Sequence, residues 1–323
     1  MYGCNKIKDY ASSLLFLYAS TPLPTYSCKQ IIRYNPTCVK NNFCTFIKIY
    51  ESRSVRNYDF YPMKTICIHT NKGGAAKTTT AVNLAFNLRR RGNRVLLIDC
   101  DSQLGSSTFI VNKGGSMPAL AQVLLGEVPI QEAITQTDSS WLGVSILPGS
   151  SDTSGAEIKL VSRAGCQNRL AQALEVVKND FDFCVIDTPP AKGLVVLNAL
   201  IASTYLVIPV SVGVLDFAGL KGVMEVFEEV QKYSNPKLDF MGILLTRWLR
   251  NKLAKDLQKT IRSLFPDKVF QSVVNEAVAL GVAHANHLPI SSNAPDTPGS
   301  IAYLEFTNEV LRYDQAFKIR AAS

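Results

Sequence analysis

Histidine is scarce in this chain of 323 residues: there are three, His69, His284 and His287. His284 and His287 stand three apart, as two ligands on one helix would, but no acidic or cysteine partner lies near them in the sequence. A histidine metal centre is therefore not expected. The eight cysteines show no C-x-x-C spacing, which removes the paired pattern of a cysteine metal site. Cys67, Cys100 and Cys184 sit inside apolar, strand-like runs, and Cys166 stands alone. They read as small buried hydrophobes of a reducing cytosol. No apolar run approaches the roughly 18 residues needed to cross a bilayer. What is abundant is core-forming material: 47% of residues are hydrophobic. That is enough for a large core in one or two domains.

Charge is unevenly placed. The formal net charge is +8, but residues 1–62 hold eight Lys/Arg against three Asp/Glu, or +5. The remainder is only mildly basic, so any nucleic-acid argument must rest on local clustering. The same 62 residues hold eight of the twelve tyrosines and four of the eight cysteines, without a sustained helical or strand period. "ASSLLFLYAS" behind Lys6 and Lys8 has the outline of a signal peptide. A disordered extension and a mis-assigned start at Met1 are the other readings. The preferred one is that Met63 begins the protein proper, because "MKTICIHT" enters at once on an apolar strand.

From Met63 the pattern is regular, and residues 63–323 read as one domain. Strands are expected at "KTICIHT", "RVLLID", "GVSILP", "FDFCVID", "TYLVIPV" and "FMGILLT". "KTTTAVNLAFNLRRRG" reads as a helix closed by Gly92. Further helices are expected around 120–125, 156–177, 193–202, 219–233, 252–264 and 301–312. Near-continuous apolar strands alternating with helices predict an α/β fold with a mostly parallel, helix-covered sheet.

The stretch "NKGGAAKTTT" carries the chemistry. A phosphate-binding loop needs a strand feeding in, small residues whose backbone N–H groups face phosphates, a lysine, and a hydroxyl for magnesium. "ICIHT" is the strand. Gly73, Gly74, Ala75 and Ala76 are small, Lys77 is the lysine, and Thr78 is the hydroxyl at a helix start that favours anions. The usual G-x-x-x-x-G-K-[ST] pattern nevertheless fails at Asn71 and at Ala76. If position 76 needs a positive φ, alanine costs about 1 kcal/mol or more; if it only needs close approach, a methyl group fits. Magnesium also asks for carboxylates at neighbouring strand ends. Asp99 and Asp101 end one such strand, and Asp187, followed by two prolines, ends another. Lys72 stands inside the loop as a solvated side chain or a second phosphate contact.

"KGGAAKTT" resembles the deviant K-G-G-x-G-K-T-T box of the ParA/MinD ATPases. "RVLLIDCDSQ", "FDFCVIDTPPAKGLVVLNALIASTYLVIPV", "SGAEIKLV", "GILLT" and "PGSIAYLEFTNEVL" continue the likeness to its ParA/Soj branch over residues 63–312. The resemblance implies a P-loop ATPase of the deviant Walker A type using ATP and Mg²⁺. It implies that Lys72 reaches the partner's nucleotide across an ATP-bound homodimer, and that Lys77 holds the β- and γ-phosphates. Thr78, Asp187 and the nearby Asp99 would serve the metal, Thr79 the α-phosphate side, and Asp101 the attacking water. A lysine acting in trans would make hydrolysis dimer-dependent, and the resemblance further implies slow turnover stimulated by a ParB-like adaptor. The expected location is cytoplasmic and nucleoid-associated, on non-specific DNA carrying a plasmid, chromosome or protein cargo.

The chain departs from that pattern at Ala76, at Ser102 for a proline, and at Glu276 and Ala279, where the branch carries arginines, one of them linked to DNA binding. A substitute is offered by "TRWLRNKLAKDLQKTIRSLFPDK", with Arg247, Arg250, Lys252, Lys255, Lys259, Arg262 and Lys268. Lys252, Lys255, Lys259 and Arg262 are spaced to share one helix face, either as a solvated face or as a salt-sensitive DNA contact. Competing readings are a MinD-like membrane switch, a metabolic P-loop enzyme, and a weakly hydrolysing cargo-positioning homologue. The first would use the tail "YDQAFKIRAAS", whose Phe317 and Ile319 are too few for a stable membrane anchor.

Overall fold

The computed structural model describes residues 63–103, 105–110, 119–212 and 217–322. The extension over residues 1–62 lies outside the described residues. The elements run β1 (Lys64–Ile68), α1 (Lys77–Arg90), β2 (Val95–Asp99), α2 (Gly105–Ile110), α3 (Leu120–Leu125), α4 (Ile130–Ala133), β3 (Thr135–Gln136), β4 (Ser145–Leu147), α5 (Thr153–Val161), α6 (Arg169–Val177) and β5 (Phe183–Asp187). Then follow α7 (Leu194–Ile201), β6 (Tyr205–Ser211), α8 (Phe217–Tyr233), β7 (Asp239–Trp248), α9 (Lys252–Leu264), β8 (Val269–Asn275), α10 (Val278–Ala285), α11 (Ile290–Asn293) and α12 (Pro298–Ala322).

The strands form one sheet in the order β3-β4-β2-β5-β1-β6-β7-β8. Every pairing is parallel except β3 with β4. Each central strand is buried on both sides, which is why its sequence is a continuous apolar run. Alternate residues go to opposite cores. Cys67, Ile98 and Ile186 pack under α3 and α6 to α9, while Ile68, Leu97 and Val185 pack under α1, α10 and α12. Cys67, Cys100 and Cys184 are buried thiols, pushed above the usual range chiefly by burial.

The expected helix over 156–177 is two helices. Gly165 takes φ 66 and turns the chain between α5 and α6, because only glycine adopts that conformation cheaply. The last helix runs beyond 312, through the tail to Ala322. Its Asp314 accepts a hydrogen bond from Tyr205 Oη at 2.9 Å, and the Phe317 ring meets the Tyr205 ring edge-on at 5.5 Å. Asp314 and Phe317, both beyond the expected end of that helix, are therefore packed against β6.

Strand β8 is not among the strands expected from periodicity; its period is broken by Gln271 and Ser272. It forms the sheet edge and is covered by side chains. Glu309 of α12 accepts from the backbone N–H of Gln271 (2.7 Å) and of Ser272 (2.8 Å). Arg262 of α9 donates to the carbonyls of Val269 and Phe270. An edge so occupied offers few groups to a foreign strand.

Candidate nucleotide site

Strands β1, β2 and β5 end together: Ile68 pairs with Asp187, and Asp187 with Asp99. The crevice past these ends is where a parallel sheet places ligands. The loop from β1 to α1 crosses it. Its helix begins without a side-chain cap and without an acidic residue in the first turn, which leaves its first N–H groups and positive dipole end available to an anion.

Gly74 has φ 74 and Ala76 has φ 60 with ψ 34. Position 76 therefore uses the left-handed region, and its alanine carries a cost of about 1 kcal/mol that glycine would not. The methyl group is thus a matter of backbone strain and not only of space. The loop's carbonyls are held from outside: Thr246 Oγ1 donates to Ala75 O at 3.0 Å and Arg247 Nη1 to Gly74 O at 3.1 Å. Lys77 Nζ donates to Lys72 O at 3.1 Å. Gly73 is exposed, and a Cβ there would meet nothing within 4 Å. Lys72 is exposed, while Thr78 and Thr79 at the start of α1 are half-buried.

Lys77 is buried beneath the loop; burial pushes its ammonium down, and Asp187 and Asp101 hold it up. Asp187 is fully buried. Burial first, then the charge of Asp99, raise its carboxyl to about 7, against hydrogen bonds from Ser106 and Thr78 and the charge of Lys77. Its Oδ2 accepts from Ser106 Oγ at 2.5 Å, whereas its Oδ1 has no hydrogen-bond partner. A buried oxygen with nothing to satisfy it, beside a threonine hydroxyl, fits a hydrated divalent cation.

Asp99 and Asp101 are placed differently. Asp99 Oδ1 accepts from Asp101 N at 3.0 Å, and its Oδ2 accepts from Ser107 N and Ser107 Oγ at 2.7 and 2.6 Å. Both oxygens are thus committed, one to the turn after β2 and the other to the start of α2, and the carboxylate acts on the site as a neighbouring charge. Asp101, half-buried, accepts from Gln103 N at 2.9 Å. Gly105 packs against the site so closely that a Cβ would stand 2.7 Å from Thr78 Oγ1. Gly105, Ser106 and Ser107 belong to the site although no motif singles them out; the run of small residues "GSS" after D-x-D is the available signal.

His69 also has a place here that the sequence does not announce. Its ring nitrogens lie 2.8 Å from Thr188 Oγ1 and 3.1 Å from Asn71 Oδ1, tying the loop's entry to the end of β5. Burial, and then the charge of Lys77, hold its pKa at about 4, so the ring is neutral. Beside the loop opens a cleft of about 370 Å³, lined by Gly74, Ala76 and Thr79 on one side and by Arg247, Glu276 and His284 on the other.

The basic stretch divides. Arg247 belongs to the site and not to the helix: beyond its bond to Gly74 O, it pairs with Glu276 at 2.7 Å. Arg262 is spent on β8, and Lys268 Nζ donates to Tyr313 Oη at 2.7 Å. Arg250, Lys252, Lys255 and Lys259 remain exposed.

An uncapped helix start, a left-handed small-residue loop, a buried lysine and a strand-end carboxylate with an unsatisfied oxygen define a P-loop nucleotide-binding protein. Residues 63–240 match the model of an AAA domain. The chain is 33% identical over 265 residues to the chromosome partitioning protein ParA of Caulobacter vibrioides, spanning 81% of this chain and 98% of that protein. It is 34% identical over 249 residues to the sporulation initiation inhibitor protein Soj of Bacillus subtilis, spanning 76% and 98%. Among solved structures, cobyrinic acid a,c-diamide synthase from Mycobacterium smegmatis with bound ATP analogue and magnesium matches with a TM-score of 0.68 at 29% identity, covering 78% of this chain and 96% of that one. The chain belongs to the ParA/Soj family of P-loop partition ATPases, and the donor set at Thr78 and Asp187 fits ATP with Mg²⁺.

Proposed function

We propose that this chain is an ATP-dependent dimerisation switch that partitions or positions DNA. It binds DNA without sequence preference in its ATP-bound dimer and hydrolyses ATP slowly until a ParB-like adaptor stimulates it. The observation that carries the reading is the pairing of a buried, unsatisfied Asp187 oxygen with the phosphate-ready loop.

In this reading the backbone N–H groups from Gly73 to Ala76, with Lys77, bind the phosphates of ATP. Thr79 serves the α-phosphate side, and the adjoining cleft takes the nucleoside. Thr78 and Asp187 would hold Mg²⁺, with Asp99, bonded to Ser107 at the start of α2, supporting the metal shell by its charge. When bound, Mg²⁺ supplies charge neutralisation on the phosphates. Asp101 orients the attacking water. Lys72, exposed on the loop, reaches the nucleotide of the second copy, so that hydrolysis waits on dimerisation.

DNA would be met by Arg250, Lys252, Lys255 and Lys259, which the fold leaves exposed. The arginines of the branch are absent at Glu276 and Ala279, and Glu276 is occupied by Arg247. Among the described residues no helix is long and apolar enough to cross a membrane, and Phe317 of the tail is packed on Tyr205. The exposed cations support a nucleoid surface, and a tail held through Phe317 does not favour a membrane anchor. The test is DNA binding by the full chain with ATP and Mg²⁺: binding present with ATP and lost with ADP supports the switch, and nucleotide-independent binding contradicts it.

A further inference from the structure

We infer that the end of β7 is a clamp that holds the phosphate loop in its strained shape, with Thr246 and Arg247 as positioning residues and Glu276 as the residue that aims Arg247. The inference rests on the reading of this loop as the nucleotide site.

Two consecutive residues of β7 grip two consecutive carbonyls of the loop. Thr246 Oγ1 takes Ala75 O, and Arg247 Nη1 takes Gly74 O. In a trans peptide the C=O and the following N–H point in opposite directions. Pulling the carbonyls of Gly74 and Ala75 toward β7 therefore turns the N–H groups of Ala75 and Ala76 away from it, toward the crevice where phosphate would sit. One set of bonds fixes the direction of two donors.

The loop needs such help because its own sequence supplies little. Ala76 is held at φ 60 and is the helix N-cap, yet it has no side chain that could bond the first turn. An alanine in that region relaxes toward other conformations unless its surroundings over-determine it. The clamp comes from far along the chain and is itself anchored. Thr246 is fully buried and is held in the ladder opposite Ser211 of β6; its single hydroxyl proton favours Ala75 O at 3.0 Å over Val210 O at 3.3 Å. Glu276 N donates to Trp248 O at 3.2 Å, and its carboxylate holds the second arm of the Arg247 guanidinium at 2.7 Å. Arg247 is itself at φ 48, a non-glycine residue in the same costly region. Two strained residues thus flank the contact, Ala76 on the loop and Arg247 on β7, and mark it as one that the fold maintains. A cation at position 276 would push the guanidinium off the loop; the carboxylate draws it over.

The test measures the affinity of the full chain for a non-hydrolysable ATP analogue with Mg²⁺, in wild type, R247Q, E276Q, A76G and A76G/R247Q. Removing a charged donor from the loop is expected to weaken binding about tenfold in R247Q, with a smaller loss in E276Q. With glycine at position 76 the left-handed turn needs less support, so the penalty of R247Q should fall to about twofold in the A76G background. In steady state the loss should fall on KM, with kcat kept within about twofold, and the melting temperature of nucleotide-free R247Q should match wild type within about 2 °C. An equal penalty of R247Q in the wild-type and A76G backgrounds overturns the clamp alone and makes Arg247 an independent ligand contact. No penalty in R247Q also overturns it. If wild type binds no analogue, the nucleotide reading itself fails, and the clamp with it.

Discussion

The phosphate loop and helix α9 are joined by the same strand end. β7 grips the loop through Thr246 and Arg247, and only a short turn after Trp248 separates it from α9. Both regions stand out by composition, one by small residues around a lysine, the other by density of lysine and arginine. In the loop almost every conspicuous residue is engaged: Lys77 with Lys72 O, and Gly74 and Ala75 with β7. Around α9, Arg262 and Lys268 are bound to the protein's own carbonyls, and Arg247 has left for the loop. A conspicuous residue type locates a region, but its charge counts toward an outside partner only where the fold has not already engaged it.

Breaking the loop should have the largest effect. Lys77→Ala removes the buried cation under the phosphates and should weaken ATP binding by about a hundredfold or more, measured by titration calorimetry. Asp187→Asn should spare folding and abolish the dependence of that affinity on Mg²⁺. Next in size, Lys72→Ala should leave single-chain ATP affinity within about threefold and reduce ATP turnover by about a thousandfold, as removal of a cation acting in trans does. A Lys72→Ala protein that turns over at wild-type rate would return Lys72 to the solvated class.

The α9 side should respond more gently. Lys252→Ala with Lys255→Ala and Lys259→Ala should weaken DNA binding at low salt. Its salt dependence should flatten by about 0.9 in log–log slope for each phosphate the protein no longer neutralises. Arg262→Ala, equally basic in sequence, should instead cost about 1 kcal/mol of stability with the salt slope unchanged. If Arg262→Ala changes DNA binding as much as the lysines do, the sorting of this stretch by exposure is wrong.

The smallest effect is on stability. The raised pKa of Asp187, about 7 against an ordinary 3.8, means that its neutral form is favoured by folding. Its contribution is fully present below about pH 4 and is lost as pH rises through about 7. The nucleotide- and metal-free protein should therefore melt at a lower temperature at about pH 8 than at about pH 6, and Mg²⁺ with ATP should shrink that difference.

Much of this is legible in the residues. Buried parallel strands write themselves as unbroken apolar runs, so β1, β2, β5, β6 and β7 and the strand-end carboxylates can be read directly. The edge strand β8 cannot, because it is satisfied from outside by Glu309 and Arg262, and its sequence carries no apolar period. Nor can the conformation of Ala76: a backbone dihedral is set by the surroundings, here by contacts from Thr246 and Arg247, over 170 positions away. The full length of the last helix is not legible either: it runs past 312 to Ala322, and Asp314 is buried there with Tyr205 Oη donating to it.

A loop with alanine at position 76 should still work as an ATP-driven dimer switch. The most direct test is the solution mass of the full chain by light scattering, with ATP analogue and Mg²⁺ and without, at fixed protein concentration. The protein should be a monomer without nucleotide and a dimer with the analogue and Mg²⁺. A mass that does not change, while the analogue is shown to bind, would contradict this.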